Sequence, residues 1–481
     1  MVLFKTEGLS FEYPDASSKA LNNVSFEVNK GEFVLVMGKT GSGKSTLLKM
    51  LVPAITPYGK VTGNIINHSE TVGYVPQNPE LSFVSETVRG ELAFAPENQR
   101  LDNNTIALRI GEIASFFNFT SLLDRKISTL SGGEKAAVAI ASVIAGNVDA
   151  VILDEPMAQL DSKAAGDLIN LLKRINDELG VTVVLSSHLS DGVIDLCDRL
   201  FVLEQGTVVF DNEPSQVNDD VLPFYPISAQ LFDSHPLTVK KAIACADGLK
   251  EKPIGHTDKT DEIISLNNIT FAYGRREPDI LDGLCYKAYN GKIHCIIGAN
   301  GSGKTTLLKI IAGIKKPYTG KRKVNGKIAY MPQSPQYLFT KDTVGEEIAA
   351  DTAKAFGLDE YINHHPYDLS GGQQQKLALA ILSEQEYDIL LLDEPTKALD
   401  VFYKKEFASY IKTLNKTVII VTHDLDFVGD VADYVSFLSD GVITLNGERR
   451  QVLANLNFYT TQVRRITKNL LTSAVSVEDL E

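Results

Sequence analysis

The feature that most constrains the fold of this chain is a glycine-rich loop that occurs twice. Residues 38–46 read GKTGSGKST, and residues 298–306 read GANGSGKTT. Each loop follows a run of apolar residues and precedes Leu-Leu-Lys. The apolar run predicts a buried strand, and Leu-Leu-Lys predicts the start of a helix. We therefore expect a strand, a tight turn and a helix at two places in the 481 residues.

Other short motifs repeat in the same order in both halves, which excludes a single accidental match. The pairs are Leu-Ser-Phe-Glu-Tyr at 9–13 and Ile-Thr-Phe-Ala-Tyr at 269–273, Tyr-x-Pro-Gln at 74–77 and 330–333, Leu-Ser-Gly-Gly at 130–133 and 369–372, Leu-Asp-Glu-Pro at 153–156 and 392–395, and a histidine at 188 and 423. The distance from the glutamine to the Leu-Ser-Gly-Gly serine is 54 residues in the first half and 37 in the second. This difference predicts a shorter helical insert in the second half.

The repeats divide the chain into two domains, at residues 1–210 and 263–450. The joining segment, residues 211–262, contains five prolines and ten acidic against five basic residues. It is too long for a simple turn, so we expect it to pack on the first half. Residues 451–481 are predicted to form a helical tail.

The composition limits the classes of function that this chain can have. Apolar residues make up 44% and charged residues 22% of the chain, which is typical of a globular protein. The net charge of −14 argues against autonomous binding to nucleic acid or to an anionic bilayer. No signal peptide and no apolar run of transmembrane length is visible, so another chain would supply any membrane-spanning part. The four scattered cysteines predict reduced thiols rather than disulfides or a metal site.

A glycine-rich loop between a strand and a helix has the context of a P-loop, whose backbone N–H groups surround nucleotide phosphates. Lys44 and Lys304 are expected to contact the β- and γ-phosphates of ATP, and Ser45 and Thr305 to bind Mg²⁺. The loop residues predicted to bind ATP are Gly38, Gly41, Ser42, Gly43, Lys44, Ser45 and Thr46 in the first copy, and Gly298, Gly301, Ser302, Gly303, Lys304, Thr305 and Thr306 in the second.

Two adjacent acids end a second apolar strand in each half. Asp154 and Asp393 fit a carboxylate that holds Mg²⁺ through water, and Glu155 and Glu394 fit the base that polarises the attacking water. Strand-end carboxylates that cap a helix would explain one acid, but not a repeated Asp-Glu-Pro.

Leu-Ser-Gly-Gly between a P-loop and such acids resembles the signature of ABC-type ATPases, and the resemblance covers nearly the whole chain. It implies an α/β fold with two P-loop NTPase domains, each a RecA-like core with an antiparallel β subdomain and a helical subdomain. In this family two nucleotide-binding domains pair head to tail, and each ATP lies between the P-loop of one and the signature of the other.

Carried over by motif, the resemblance implies two composite sites. The first site combines Lys44, Asp154, Glu155 and His188 with Ser370, Gly371 and Gly372. The second site combines Lys304, Asp393, Glu394 and His423 with Ser131, Gly132 and Gly133. Tyr13 and Tyr273 match the aromatic residue that stacks on adenine. Gln77 and Gln333 match the glutamine that senses Mg²⁺ and links ATP to a transport partner.

The strand-end histidines are catalytic candidates under this resemblance. A lone histidine there is usually structural, but His188 and His423 in the same register favour a γ-phosphate role. The two copies also differ. The first signature continues with Glu134-Lys, where the family usually has glutamine or lysine followed by arginine, and Met157 replaces the usual threonine or serine after Asp-Glu-Pro. We predict that the second site is the weaker ATPase.

Four segments resemble energy-coupling factor (ECF) transporter ATPases, namely residues 77–88, 91–98, 236–239 and 334–347. A pair of such ATPases fused in one chain implies two other partners. These are an integral-membrane T component, which docks near Gln77 and Gln333, and a substrate-binding S component. The cargo would be a vitamin, a vitamin precursor or a transition-metal ion. The chain would lie peripherally on the cytoplasmic side of the cell membrane.

Two other kinds of tandem ABC protein remain as alternatives. Sugar-importer ATPases have similar length but typically one degenerate site, whereas both P-loops and both glutamates are intact here. Soluble ABC proteins that act on the ribosome usually have a basic helical linker, whereas this linker is net acidic. The recycling type also carries a cysteine-rich iron–sulfur region, which four scattered cysteines cannot form.

Overall fold

The structure, a computed structural model, describes residues 1–14, 18–158, 160–188, 190–255, 261–274, 277–397 and 399–481. The chain divides into two compact units, Met1–Gln230 and Leu231–Glu481. Within the described part of the chain, no helix combines the length and apolar content needed to cross a bilayer.

The first unit alternates strands and helices. Its strands are β1 Val2–Glu12, β2 Leu21–Asn29, β3 Phe33–Gly38, β4 Lys60–Asn67, β5 Val72–Val75, β6 Ala150–Asp154, β7 Thr182–Ser186, β8 Arg199–Glu204 and β9 Thr207–Asn212. Its α-helices are α1 Lys44–Met50, α2 Val88–Asn98, α3 Asn103–Phe116, α4 Gly132–Ala145, α5 Ser162–Leu179 and α6 Ile227–Gln230. Short 3-10 helices span Pro53–Ile55, Pro79–Leu81, Ile127–Thr129, Pro214–Gln216 and Leu222–Phe224.

The second unit repeats this order. Its strands are β10 Glu262–Phe271, β11 Leu281–Tyr289, β12 Ile293–Ile297, β13 Thr319–Val324, β14 Ile328–Met331, β15 Ile389–Asp393, β16 Thr417–Val421, β17 Tyr434–Ser439 and β18 Val442–Glu448. Its α-helices are α7 Val239–Cys245, α8 Lys304–Ile311, α9 Val344–Glu347, α10 Ala350–Ala355, α11 Gly371–Ser383, α12 Val401–Thr413, α13 Leu425–Val431, α14 Arg449–Asn455 and α15 Gln462–Thr467. Its 3-10 helices are Pro335–Leu338, Asp359–Tyr361, Pro366–Asp368 and Val477–Asp479.

Each unit contains one six-stranded sheet and one antiparallel three-stranded sheet. The larger sheets have the order β5-β6-β7-β3-β8-β9 and β14-β15-β16-β12-β17-β18. Their strands are parallel except for the last, which is antiparallel. The central strands are apolar runs buried along their whole length, as strands covered on both faces require. The predicted fold class is confirmed.

The helical insert between the glutamine and signature motifs differs between the units. The first unit has α2 and α3, of 11 and 14 residues, whereas the second has α9 and α10, of four and six. The shorter second insert predicted from motif spacing is therefore confirmed.

The joining segment differs from its expectation. Only the part up to Gln230 belongs to the first unit. Beyond it, Ala242 and Ala246 at α7 form a buried cluster with Ile466 of α15. Glu251 accepts hydrogen bonds from the backbone of Ser473 and Ala474. This part of the segment therefore packs on the C-terminal tail. The partners are more than 200 residues apart in the chain, so local sequence patterns do not reveal the contact. The boundaries at 210, 262 and 450 stay a prediction.

A histidine is buried in the strand that leads to the second glycine-rich loop. His294 is 2% exposed, accepts the backbone N–H of Tyr289 at 2.9 Å and stacks on Tyr434 at 5.1 Å between ring centroids. Burial lowers the pKa of His294 to about 4. Val34 takes the same position, four residues before the corresponding glycine, in the first unit.

This histidine predicts an acid-sensitive second unit. The unfolded chain has a histidine pKa of about 6.5, so stability is intact above that pH and is lost as pH falls from about 6.5 towards 4. Between pH 7 and pH 5 we expect a loss of about 2 kcal/mol that a His294→Val chain does not show. Urea unfolding of both chains at the two pH values measures this difference. A loss of equal size in both would contradict the prediction.

Candidate functional site

The two glycine-rich loops connect β3 to α1 and β12 to α8. Lys44 Nζ donates to the carbonyl oxygen of Gly38 at 2.9 Å, and Lys304 Nζ donates to that of Gly298 at 2.9 Å. Gly38 has φ +152°, and a Cβ atom there would lie 2.3 Å from the carbonyl oxygen of Leu203. Only glycine fits where the end of β3 passes this close to β8, and the loop that follows brings the lysine side chain back to the end of β3.

The serine of each loop has an unsatisfied hydroxyl. Among the described residues, Ser42 Oγ and Ser302 Oγ are buried and have no hydrogen-bond partner. Beside them, a Cβ built at Gly41 or Gly301 would have no atom within 4 Å apart from those of its chain neighbours. A buried hydroxyl beside open space takes its acceptor from outside the protein, either from water or from a ligand. Phosphate oxygens of a nucleotide would provide one, so both loops fit the predicted ligand.

A hydroxyl and a carboxylate meet next to each loop. Ser45 Oγ donates to Asp154 Oδ1 at 2.9 Å, and Thr305 Oγ1 donates to Asp393 Oδ1 at 3.0 Å. Hard oxygen ligands of this kind suit Mg²⁺ when phosphate oxygens complete the set. In the ranges that the structure describes, no group of three or more His, Cys, Asp or Glu residues could hold a metal alone. Burial raises the pKa of Asp393 to about 6, against the hydrogen bond from Thr305.

Glu155 is held by three side chains in the first unit. Its Oε1 lies 2.7 Å from His188 Nε2 and 3.6 Å from Lys44 Nζ, and its Oε2 accepts from Gln77 Nε2 at 3.1 Å. Burial alone would raise the pKa of Glu155, but the attraction of His188 and Lys44 outweighs it and lowers the pKa. The structure therefore brings together Lys44, Glu155 and His188, which were predicted to share the first site, and places Gln77 against the same glutamate.

Glu394 has a different environment in the second unit. Its Oε2 lies 2.8 Å from His423 Nδ1, the other ring nitrogen from the one used by His188. Gln333 is exposed and, within the described residues, makes no side-chain hydrogen bond. Lys397 lies near Glu394, and its pKa is lowered by burial although the carboxylates oppose this shift. The two copies thus place equivalent residues in unequal networks.

Tyr13 and Tyr273 occupy matching positions beside the loops. Each phenol oxygen lies 3.1 Å from a threonine hydroxyl that ends the loop, Thr46 or Thr306. Their side chains are 37% and 50% exposed. An anchored and partly exposed ring suits stacking on a base. The adenine contact itself stays a prediction.

The signature motifs begin α4 and α11. Ser131 and Ser370 are the N-caps, and each forms a capping box with the residue three positions later. That residue is Glu134 in the first unit and Gln373 in the second. The backbone N–H of Ser131 holds the pKa of Glu134 below its ordinary value. A negative charge therefore lies beside Gly132 and Gly133, whereas the corresponding glycines, Gly371 and Gly372, have a neutral neighbour.

Several residues at these sites were not predicted from the sequence. Tyr74 and Tyr330 donate to Asp154 Oδ2 and Asp393 Oδ2, at 3.2 and 3.4 Å. Both tyrosines precede Pro-Gln motifs that the repeat had already identified, so the repeated tyrosine was an available signal. Ser186 Oγ also donates to Asp154 Oδ1 at 2.9 Å. No repeat marked Ser186, because Val421 takes its place in the second unit.

Two strand–P-loop–helix units, each with a hydroxyl–carboxylate pair and a nearby glutamate, define a P-loop NTPase with two nucleotide-binding domains. The chain matches the family model described as ABC transporter over residues 21–158 and 281–397. It belongs to the family of ABC transporter ATP-binding proteins, and it is an ATPase of that family.

Curated relatives extend over nearly the whole chain. An ABC transporter ATP-binding protein of Bacillus cereus is 38% identical and aligns with 98% of this chain and 96% of its own length. The protein of Bacillus subtilis named as the HMP/thiamine import ATP-binding protein YkoD is 29% identical over 94% of this chain and 92% of its own.

Among solved structures, the archaeal ribosome recycling factor aABCE1, in complex with the stalk protein aP1, matches with a TM-score of 0.66. It is 22% identical over 93% of this chain and 91% of its own. At this identity the match concerns the fold alone.

Proposed function

We propose that this chain is the ATP-hydrolysing subunit of an ECF-type ABC importer. It powers the uptake of a vitamin, a vitamin precursor or a metal ion through a T component and an S component in the membrane. It lies peripherally on the cytoplasmic side. The whole-length similarity to a relative named for HMP/thiamine import supports the importer role.

The first site suggests how hydrolysis proceeds. Lys44 would exchange the carbonyl oxygens of its own loop for the phosphates of ATP, and Ser45 and Asp154 would hold Mg²⁺. Mg²⁺, when bound, neutralises charge that develops on the phosphates. Glu155, with its lowered pKa, is ionised at neutral pH and accepts a hydrogen bond from the attacking water. His188 keeps the Glu155 carboxylate in place. Lys304, Thr305, Asp393, Glu394 and His423 have the same roles in the second site.

The signatures complete these sites under the proposed head-to-tail pairing. Ser370, Gly371 and Gly372 would contact the γ-phosphate at the first site, and Ser131, Gly132 and Gly133 at the second. The backbone N–H groups at the start of a long helix favour an anion. The negative charge of Glu134 opposes it, in part offset by Arg125 at 3.7 Å, and this favours a weaker second site.

The observation that carries the importer proposal is an exposed apolar surface after Gln77. Leu81 is 81% exposed and Val84 is 64% exposed. Both are adjacent in sequence to residues of a surface cavity of about 600 Å³, which is lined by Glu80, Phe83, Ser85, Glu86, Lys126, Ile127, Ser128 and Lys135. Glu80 pairs with Lys135 and Glu86 with Lys126, so the charges are largely balanced. The surface suits an amphipathic helix of a partner, whose apolar side chains would contact Leu81 and Val84 while its polar side chains face the paired charges.

Purification of the tagged chain from membranes in mild detergent tests this proposal. We expect multispanning membrane proteins in stoichiometric amounts. A Leu81→Glu chain should recover less than about a tenth of them, since a charge is placed in an apolar contact. Leu179→Glu, at a residue that is 48% exposed on α5, is the matched control and should recover them fully. Co-purification with ribosomes and with no membrane protein would overturn the importer role.

A further inference from the structure

Ser186 connects the two acids of the first site. It ends β7 and is fully buried. Its hydroxyl donates to Asp154 Oδ1 at 2.9 Å and accepts the backbone N–H of Glu155 at 3.0 Å. One hydroxyl therefore bridges the carboxylate that is assigned to Mg²⁺ and the main chain of the assigned base.

The backbone of Glu155 needs such support. Its φ is +49°, in the left-handed region that residues with a side chain rarely adopt. A conformation of this kind persists only where surrounding contacts hold it. The hydroxyl of Ser186 supplies one contact and its carbonyl oxygen another, at 3.2 Å from the same N–H.

The second unit lacks this hydroxyl. Val421 pairs with Asp393 in the same register in which Ser186 pairs with Asp154. Glu394 has φ +52°, and its N–H bonds to the carbonyl oxygen of Val421 at 2.8 Å. Both units thus have a glutamate with positive φ at this position. The side-chain hydroxyl that bridges the two acids is found in the first unit.

Ser45 also donates to Asp154, but Ser45 is itself an assigned Mg²⁺ ligand. A hydroxyl that binds a metal through a lone pair can still donate its hydrogen atom, and Thr305 makes the equivalent contact to Asp393, so this hydrogen bond does not distinguish the two units. The hydrogen bond from Ser186 comes from a residue that is not an assigned ligand, and Val421 cannot make it in the second unit. We propose that Ser186 is a positioning residue that orients the Asp154 carboxylate for Mg²⁺ and makes the two ATP sites unequal in their Mg²⁺ dependence. This inference rests on the ATP-site assignment above and is independent of the importer role.

Nucleotide binding by the full chain tests the inference. Lys304→Ala removes the second site, and the Mg²⁺ concentration that half-maximally enhances binding of a fluorescent ATP analogue is measured with and without Ser186→Ala. We expect this concentration to rise about tenfold, the effect of one hydrogen bond to a charged group. Binding in EDTA should stay unchanged, and Ser186→Thr should restore the midpoint. A purely structural role would weaken binding equally in EDTA.

The reciprocal exchange keeps the test valid if Ser186→Ala does not fold. In a Lys44→Ala chain, Val421→Ser should lower the Mg²⁺ midpoint of the second site severalfold. A change of less than twofold in either exchange that folds would overturn the inference. If a chain with both lysines replaced still binds the analogue, the ATP-site assignment fails instead, whatever the result for Ser186.

Discussion

A Glu155→Gln chain is expected to lose most of its ATP turnover. A positioned base contributes about 10²–10⁴-fold to such a reaction, and glutamine keeps the size of the side chain but not its basicity. The amide oxygen can still accept from His188, so the local packing should survive. Glu394→Gln should remove a smaller part of the total turnover, because the second site is predicted to be the weaker.

Steady-state phosphate release under saturating ATP and Mg²⁺ measures both effects. The double variant should fall at least about 100-fold below the unmodified chain. ATP binding is the control, and it should be retained in each variant because both P-loops are intact. Equal losses from the two single substitutions would contradict the predicted inequality of the sites.

The P-loops and the acidic pairs were predictable because each motif is local in sequence. Lys44 and Ser45 belong to a run of nine residues, and Asp154 and Glu155 are adjacent. Their separate roles follow from chemistry that the residue types carry by themselves. Because the motifs repeat in the same order, the equivalent residues of the second unit could be identified without any information about contacts.

Residues that act across the fold were not predictable in this way. Ser186 reaches Asp154 over 32 residues because β6 and β7 are neighbours in the sheet. The register of that pair is set by folding, and a serine at the end of a strand carries no signal of its own. The same applies to His294, whose burial depends on the aromatic rings around it rather than on its neighbours in sequence.

The packing of the joining segment was missed for a related reason. Composition showed that residues 211–262 are acidic and rich in proline, but not which surface they contact. Ala242 is a small residue in a short helix, and its partner Ile466 lies in the tail. The helix is too short to show a periodic pattern of apolar residues, so the sequence does not reveal this contact. The structure identifies the partner.

The C-terminal tail should be essential to the stability of the second unit. Asp479 Oδ1 lies 2.6 Å from Arg449 Nη2, and its Oδ2 accepts the backbone N–H groups of Val475 and Ser476 at 3.0 Å each. The Asp479 side chain is only 6% exposed. Asp479→Ala would leave a partly buried guanidinium and two N–H groups without this acceptor. We expect the free energy of unfolding to fall by about 3 kcal/mol.

The neighbouring acid provides a matched control. Glu478 is 66% exposed and pairs with Lys412 at 3.1 Å, so Glu478→Ala should cost less than about 1 kcal/mol. Urea unfolding of both chains gives the comparison, and nucleotide binding well below the transition should be the same in both. Since Lys252 also donates its backbone N–H to the carbonyl oxygen of Asp479, loss of the acid should loosen the joining segment as well as the tail. Proteolysis near Lys252 would then accelerate in Asp479→Ala alone. Equal stability and equal cleavage in the two variants would show that the tail does not stabilise the second unit.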